Sequence, residues 1–166
     1  MGDLLHLHGR RLQAPRCGLR RGRSATAWYE LGLSLEATDP ARAVTAYERA
    51  LAGRPDLADA LNNLGRLHHE SGGAALAESC YRLAICAEPT VALYWFNLGV
   101  SVEDDGRSSE AIAAYERAIE LDPRLADAHF NLARLLEVCG RKSDDELVLR
   151  RAVRHLVRYR DLAGVG

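Results

Sequence analysis

The sequence predicts an all-α fold, a solenoid of four antiparallel helix pairs, and three observations carry that prediction. Blocks recur at a fixed interval: Leu61-Asn62-Asn63-Leu64-Gly65, Trp95-Phe96-Asn97-Leu98-Gly99 and His129-Phe130-Asn131-Leu132-Ala133 each lie 34 residues after the last. A second set, Tyr81-Arg82-Leu83-Ala84 and Tyr115-Glu116-Arg117-Ala118, keeps the same step, as do Pro89 and Pro123. An earlier copy (Trp28 to Gly32, Tyr47 to Ala50, Pro55) is one residue shorter between its glycine and its alanine. A period in this range belongs to stacked-repeat architectures. Inside each block, large apolar and small residues fall at helical spacing, and strand alternation is nowhere sustained.

Each element follows from this pattern. With Ala58, Ala92 and Ala126 as first positions, position 4 holds Leu61, Trp95 and His129, position 7 holds Leu64, Leu98 and Leu132, and position 8 holds Gly65, Gly99 and Ala133. Positions 4, 7, 8 and 11 share one face of a first helix. Gly72, Gly106 and Gly140 then break the chain in register, as a glycine just past a helix end does. The second helix carries Ala77 and Ala111, Tyr81 and Tyr115, and Ala84, Ala118 and Ala152. Small residues let the paired backbones approach closely, and the tyrosines fill the gap to the next unit. Pro55, Pro89 and Pro123 end each second helix, because proline lacks an N–H and disfavours helix before it. The fourth unit departs most. Sliding its second helix by seven residues, nearly two turns, puts Ala152, Leu156 and Tyr159 on the pattern. One terminal helix over residues 144–162 is therefore expected, acidic at its start and basic at its end in keeping with the helix dipole, and acting as a polar cap on the open stack.

This arrangement resembles the tetratricopeptide repeat, whose units follow a W-x2-L-G-x2-Y, A-x3-F, A, P pattern. Position 11 departs from it with Leu35, His68, Val102 and Leu136 in place of tyrosine, and His129 stands where tryptophan is usual. The resemblance implies a right-handed α-α superhelical solenoid of four units, at about residues 25–57, 58–91, 92–125 and 126–162, after a basic leader (1–24) and before a short tail (163–166).

Composition sets the outer bounds. A chain of 166 residues that is 48% hydrophobic with a net charge of −1 is ordinary for one soluble domain. Residues 1–23 hold six arginines against Asp3, a formal +5, so the remainder sums to −6. That leader reads as a remnant or partly disordered segment. Competing readings are a mitochondrial presequence, which its near lack of serine opposes, and a nucleic-acid-binding arm, which the lack of interleaved aromatics opposes. No apolar run approaches a membrane span. The four cysteines show no C-x-x-C spacing, which fits idle thiols in a reducing cytosol and a cytoplasmic location. His68-His69 and His6-x-His8 lack a cysteine partner at zinc-finger spacing, so no metal or other cofactor is expected. No phosphate loop, nucleophile elbow or paired-carboxylate motif is present, so no catalysis is expected.

The candidate site is then a surface. The resemblance implies that first helices line a concave groove and present positions 2, 5, 6, 9, 12 and 13 to it. Position 6 gives Asn63, Asn97 and Asn131, which resemble the asparagine ladder with which some family members hold an extended peptide. A carboxamide both donates and accepts, so it pairs with a peptide group whatever the neighbouring side chain. The competing reading is that asparagine merely suits this helix surface. Position 5 adds Tyr29, Asn62, Phe96 and Phe130, either as anchors in the groove or as packing against the adjoining helix. Position 9 adds Val100, Arg66 and Arg134. Glu103 with its acidic neighbours makes one rim acidic, so a basic protein or peptide partner is expected, with affinity falling as salt rises. The family's carboxylate clamp for chaperone tails needs Lys or Arg at positions 2, 5 and 6, which here are mostly neutral or acidic. The function expected is a non-catalytic protein-interaction scaffold, free of membrane or nucleic acid and compatible with self-association. The alternative is the sensing or dimerising repeat module of a bacterial transcription regulator whose DNA-binding part is absent, since segments such as RHLVRYRDL look like the repeat halves of mercury-resistance-type regulators.

Overall fold

The computed structural model describes residues 23–164; all but the last two residues of the expected leader lie outside that range. Eight helices follow in order: α1 (Ala25–Leu35), α2 (Pro40–Gly53), α3 (Ala58–Glu70), α4 (Ala74–Ala87), α5 (Ala92–Asp104), α6 (Ser108–Leu121), α7 (Ala126–Ser143) and α8 (Glu146–Ala163). There is no strand among the described residues. The helices pack as four consecutive pairs, and each second helix also supports the first helix of the next unit.

The helix ends show why the chain breaks where it does. Ser24 caps α1 by accepting from the Ala27 N–H at 3.2 Å, Asp39 caps α2 through the Arg42 N–H at 3.1 Å, and Asp145 caps α8 through the N–H groups of Leu147 and Val148. Pro40 begins α2, where a missing N–H costs nothing. Gly72 and Gly106 take φ of 82° and 76° after α3 and α5, a left-handed conformation that glycine adopts without a Cβ penalty.

Inside each pair the fit is set by tyrosine against glycine. Tyr47 and Tyr115 are fully buried, and a Cβ placed on Gly99 would sit 2.6 Å from Tyr115 Cε1. Around them lie the small residues Ala43, Ala46, Ala50, Ala77, Ala84, Ala111 and Ala118, none more than 1% exposed. One core cluster joins Tyr115 to Leu98, Val102, Leu132, Leu135 and Leu136, so the tyrosine of one unit also meets the first helix of the next.

The fourth unit corrects two expectations. Gly140 does not end α7; it is buried inside the helix, which runs to Ser143 and turns at Asp144 with φ 54°. Its missing Cβ instead admits Leu149, whose Cγ would otherwise lie 2.9 Å away. The extra turn of α7 accounts for the seven-residue slide of α8, which buries Ala152. The terminal helix is not a polar cap, since Leu147, Val153, Leu156 and Val157 are 70%, 60%, 48% and 43% exposed. Glu116 of α6 pairs with Arg151 of α8 and is half-buried.

Ala118→Leu is expected to lower stability by roughly 1–3 kcal/mol, because three added carbons have no space beside a fully buried alanine. Leu83→Ala, at a residue 55% exposed, is the control, and equal shifts in the denaturant midpoints would invalidate the inward face assigned to α6.

Candidate functional site

The first helices α1, α3, α5 and α7 carry the residues expected to face the groove, and the structure places them in a network that crosses the repeats. Tyr47 Oη donates to Glu36 Oε1 at 2.5 Å and accepts from Asn63 Nδ2 at 3.4 Å. Two units on, Tyr115 Oη donates to Glu103 Oε2 at 2.8 Å and accepts from Asn131 Nδ2 at 3.5 Å. Burial, reinforced by the carboxylate each one meets, pushes both phenols well above their ordinary range. They are therefore neutral donors that hold the position-12 carboxylate of their own unit and the position-6 asparagine of the next.

The second unit breaks this relay because its position 12 is His69. That ring pairs with Asp104 Oδ2 at 2.9 Å instead, and Asn97 Nδ2 donates to Asn62 Oδ1 at 2.8 Å. Asn62 is buried, at 4% exposure, and donates onward to Asn63 Oδ1 at 3.3 Å. Of the three expected ladder residues, all are half-buried and all donate to a neighbouring protein group, so part of their hydrogen-bonding capacity serves the fold itself.

The aromatic positions divide. Tyr29 packs on Tyr47 with ring centroids 5.8 Å apart, and Phe96 on Tyr115 at 5.9 Å. Val100 joins Phe96 against the core. Only Phe130 is largely open, 42% exposed beside Tyr159 at 5.0 Å. The rim charges are also committed. Arg66 bridges Glu36 at 2.5 Å and Glu70 at 2.6 Å, and Arg134 pairs with Glu103, which is already bonded to Tyr115. Two carboxylates of the acidic rim, Glu36 and Glu103, are thus paired with arginines that tie one unit to the next.

Several groups that build this face carry no signal of their own in a single repeat. Tyr94 Oη donates to Asp59 Oδ1 at 2.6 Å across α3 and α5. Glu78 joins Arg82 and Arg107, whose hydrogen bonds hold its carboxyl below the usual carboxylate range. Tyr94 and Asp59 sit 35 apart and Arg107 and Glu78 sit 29 apart, so the signal that finds these two pairs is charge or hydrogen-bond complementarity about one period along. His129 is the substitution that the structure explains most directly. Trp95 Nε1 donates to the Pro89 carbonyl at 2.9 Å, and His129 Nε2 occupies the same place on the Pro123 carbonyl at 3.2 Å.

Comparison with known proteins fits this geometry. A tetratricopeptide repeat family profile matches residues 35–92, and a second, for the TPR repeat, matches residues 104–137. The chain belongs to the tetratricopeptide repeat family. No curated protein sequence matches it. Among solved structures, the tetratricopeptide fold seen here is similar to a crystal structure of MamA, with 19% identity, a TM-score of 0.75 and coverage of 84% of this chain and 78% of that one. It is also similar to MamA from residue 41 to its end, from Desulfovibrio magneticus RS-1, with 24% identity, a TM-score of 0.71 and coverage of 85% and 76%. The first TPR of Spaghetti (RPAP3), bound to the HSP90 peptide SRMEEVD, matches with 20% identity, a TM-score of 0.68 and coverage of 70% and 94%. At these identities the likenesses establish the tetratricopeptide fold. No helix among the described residues is long and apolar enough to cross a membrane.

Proposed function

We propose that this tetratricopeptide protein is a non-catalytic scaffold that captures a peptide or helix of a partner protein in the groove lined by α1, α3, α5 and α7, and that it works in the cytoplasm. The observation that supports this most is the series Asn63, Asn97 and Asn131. Each stands at the same helix position one repeat apart, and each has one N–H tied down by a neighbour. Asn97 and Asn131 so held keep the oxygen and second N–H for a ligand, already oriented, which reduces the entropy lost on binding, while the Asn63 oxygen also accepts from Asn62 and keeps one lone pair. A bound backbone would be gripped in steps while its side chains meet Phe130 and the flank of Phe96. The RPAP3 neighbour holds a chaperone peptide, but the sites of a basic carboxylate clamp are filled here by asparagine and aromatic residues, so a chaperone tail is not the ligand favoured. Because Glu36 and Glu103 are each paired with an arginine, these two carboxylates should add little to the salt dependence of binding.

The test begins with affinity capture of partners from the source lysate, followed by calorimetry on the segment recovered. Replacing Asn63, Asn97 and Asn131 together by alanine should weaken binding at least about tenfold, since each neutral hydrogen bond is worth about 0.5–1.5 kcal/mol. Unchanged binding by a folded triple variant would remove the groove from consideration.

A further inference from the structure

At the end of the stack lies a groove of about 370 Å³ between α7 and α8, walled by Phe130, Ala133, Leu149, Ala152, Val153 and Leu156. One repeat earlier the matching surface is covered: Phe96 and Val100 lie with Tyr115 and Ile119 against Leu132, Leu135 and Leu136 of α7. The groove is thus the seat that a first helix takes on every preceding pair, left open. Its contrast with the interior is large, since Tyr115 is fully buried while Phe130 is 42% and Val153 60% exposed. Leu149, Val153, Leu156 and Val157 follow i, i+4, i+7 and i+8 spacing, a stripe made for a second helix.

Charge selects the occupant. Helix α8 carries Arg150, Arg151, Arg154, Arg158 and Arg160 against Glu146 and Asp161, a net +3. Arg154 and Arg158 pair with no carboxylate among the described residues, and Arg154 lies with Arg150 beside the exposed Leu147 and Val153. A second copy of this chain is a poor fit. Its own α8 would oppose arginine with arginine, and at its other open end the guanidinium groups of Arg23 and Arg49 flank the apolar Trp28 at 5.3 and 5.0 Å.

We infer that the groove between α7 and α8 is a second docking site, which meets the end of the concave face at Phe130 and Arg134, and that it takes an amphipathic helix of another protein with carboxylates flanking its apolar stripe. Such a helix completes the stack as a fifth first helix would, and its carboxylates meet Arg150 and Arg154 beside Val153.

Two designed helical peptides with the same leucine stripe, one flanked by glutamate and one by lysine, test this by fluorescence anisotropy on the full chain. The glutamate peptide should bind at least about tenfold more tightly than the lysine peptide, and Val153→Glu should weaken it by a similar factor. Val153 is exposed, so that variant should melt as the parent does. The Asn63, Asn97 and Asn131 alanine variant should bind the peptide unchanged, which separates this site from the groove. Equal binding of the two peptides, no binding of either, or no effect of Val153→Glu would overturn the inference. So would a dimer in sedimentation velocity that Val153→Glu dissolves, because the seat would then belong to a second copy.

Discussion

Tyr115→Ala is expected to destabilise the protein by about 3–5 kcal/mol, the range for removing a fully buried aromatic ring. The ring has no exposure, fills the notch over Gly99 and reaches the core formed by Leu132 and Leu136. Those walls belong to three helices in two units, so collapse onto the void would need the repeats to shift together. Its hydroxyl adds a separate contribution through Glu103 and Asn131. Tyr115→Phe isolates that contribution and should cost about 1.5–3 kcal/mol at most, the range for a bond to a charged group, because Glu103 keeps Arg134. Chemical denaturation of the two variants measures both. Equal losses would mean that the hydroxyl network, not the packed ring, holds α5, α6 and α7 together.

That tyrosine also marks how far the sequence could be read. The repeat period, the paired helices and the inward face of each were legible because Tyr47, Tyr81 and Tyr115 and their alanine neighbours recur at the same positions, and a periodic core has no other way to close. Gly140 shows where this reading failed. A glycine in register with Gly72 and Gly106 reads as a helix end, yet its use is to admit Leu149, and only the partner helix reveals that. The candidate groove was legible as a set of positions but not as a set of free groups. Glu103, Arg134 and Arg66 look like rim charges in one repeat; the carboxylate or guanidinium that neutralises each comes from the next or the preceding unit. The open seat on α8 was hidden by its arginines, which make the helix look polar although its apolar residues gather on one stripe.

The second large effect expected is an acid-induced loosening of α7 and α8, centred on His129 and His155. Their Nδ1 atoms lie 2.9 Å apart, and His129 Nε2 lies 3.2 Å from the Pro123 carbonyl. A carbonyl only accepts, so His129 carries its proton on Nε2, and its bare Nδ1 accepts from the Nδ1–H of His155. Both rings are therefore neutral in the folded protein. Burial, followed for His155 by His129, Arg151 and Arg154, and assisted for His129 by Arg158, holds both below the ordinary histidine value of 6.5. The unfolded chain then binds protons more readily, so this stabilising contribution is complete above pH 6.5 and is lost as pH falls through the depressed folded values. Protonating His129 at Nδ1 also turns its N–H against the Nδ1–H of His155, whereas a proton added to His155 goes to its Nε2. The melting midpoint should drop by several degrees between pH 7.5 and 5, since for a chain of this size each kcal/mol lost moves it by about 2–4 °C. Amide exchange should show α8 opening first. A variant with His129→Trp and His155→Leu restores the indole contact that Trp95 makes with Pro89, and its midpoint should fall much less over the same range. An equal fall in the variant would place the acid sensitivity in the carboxylate pairs rather than in this histidine contact.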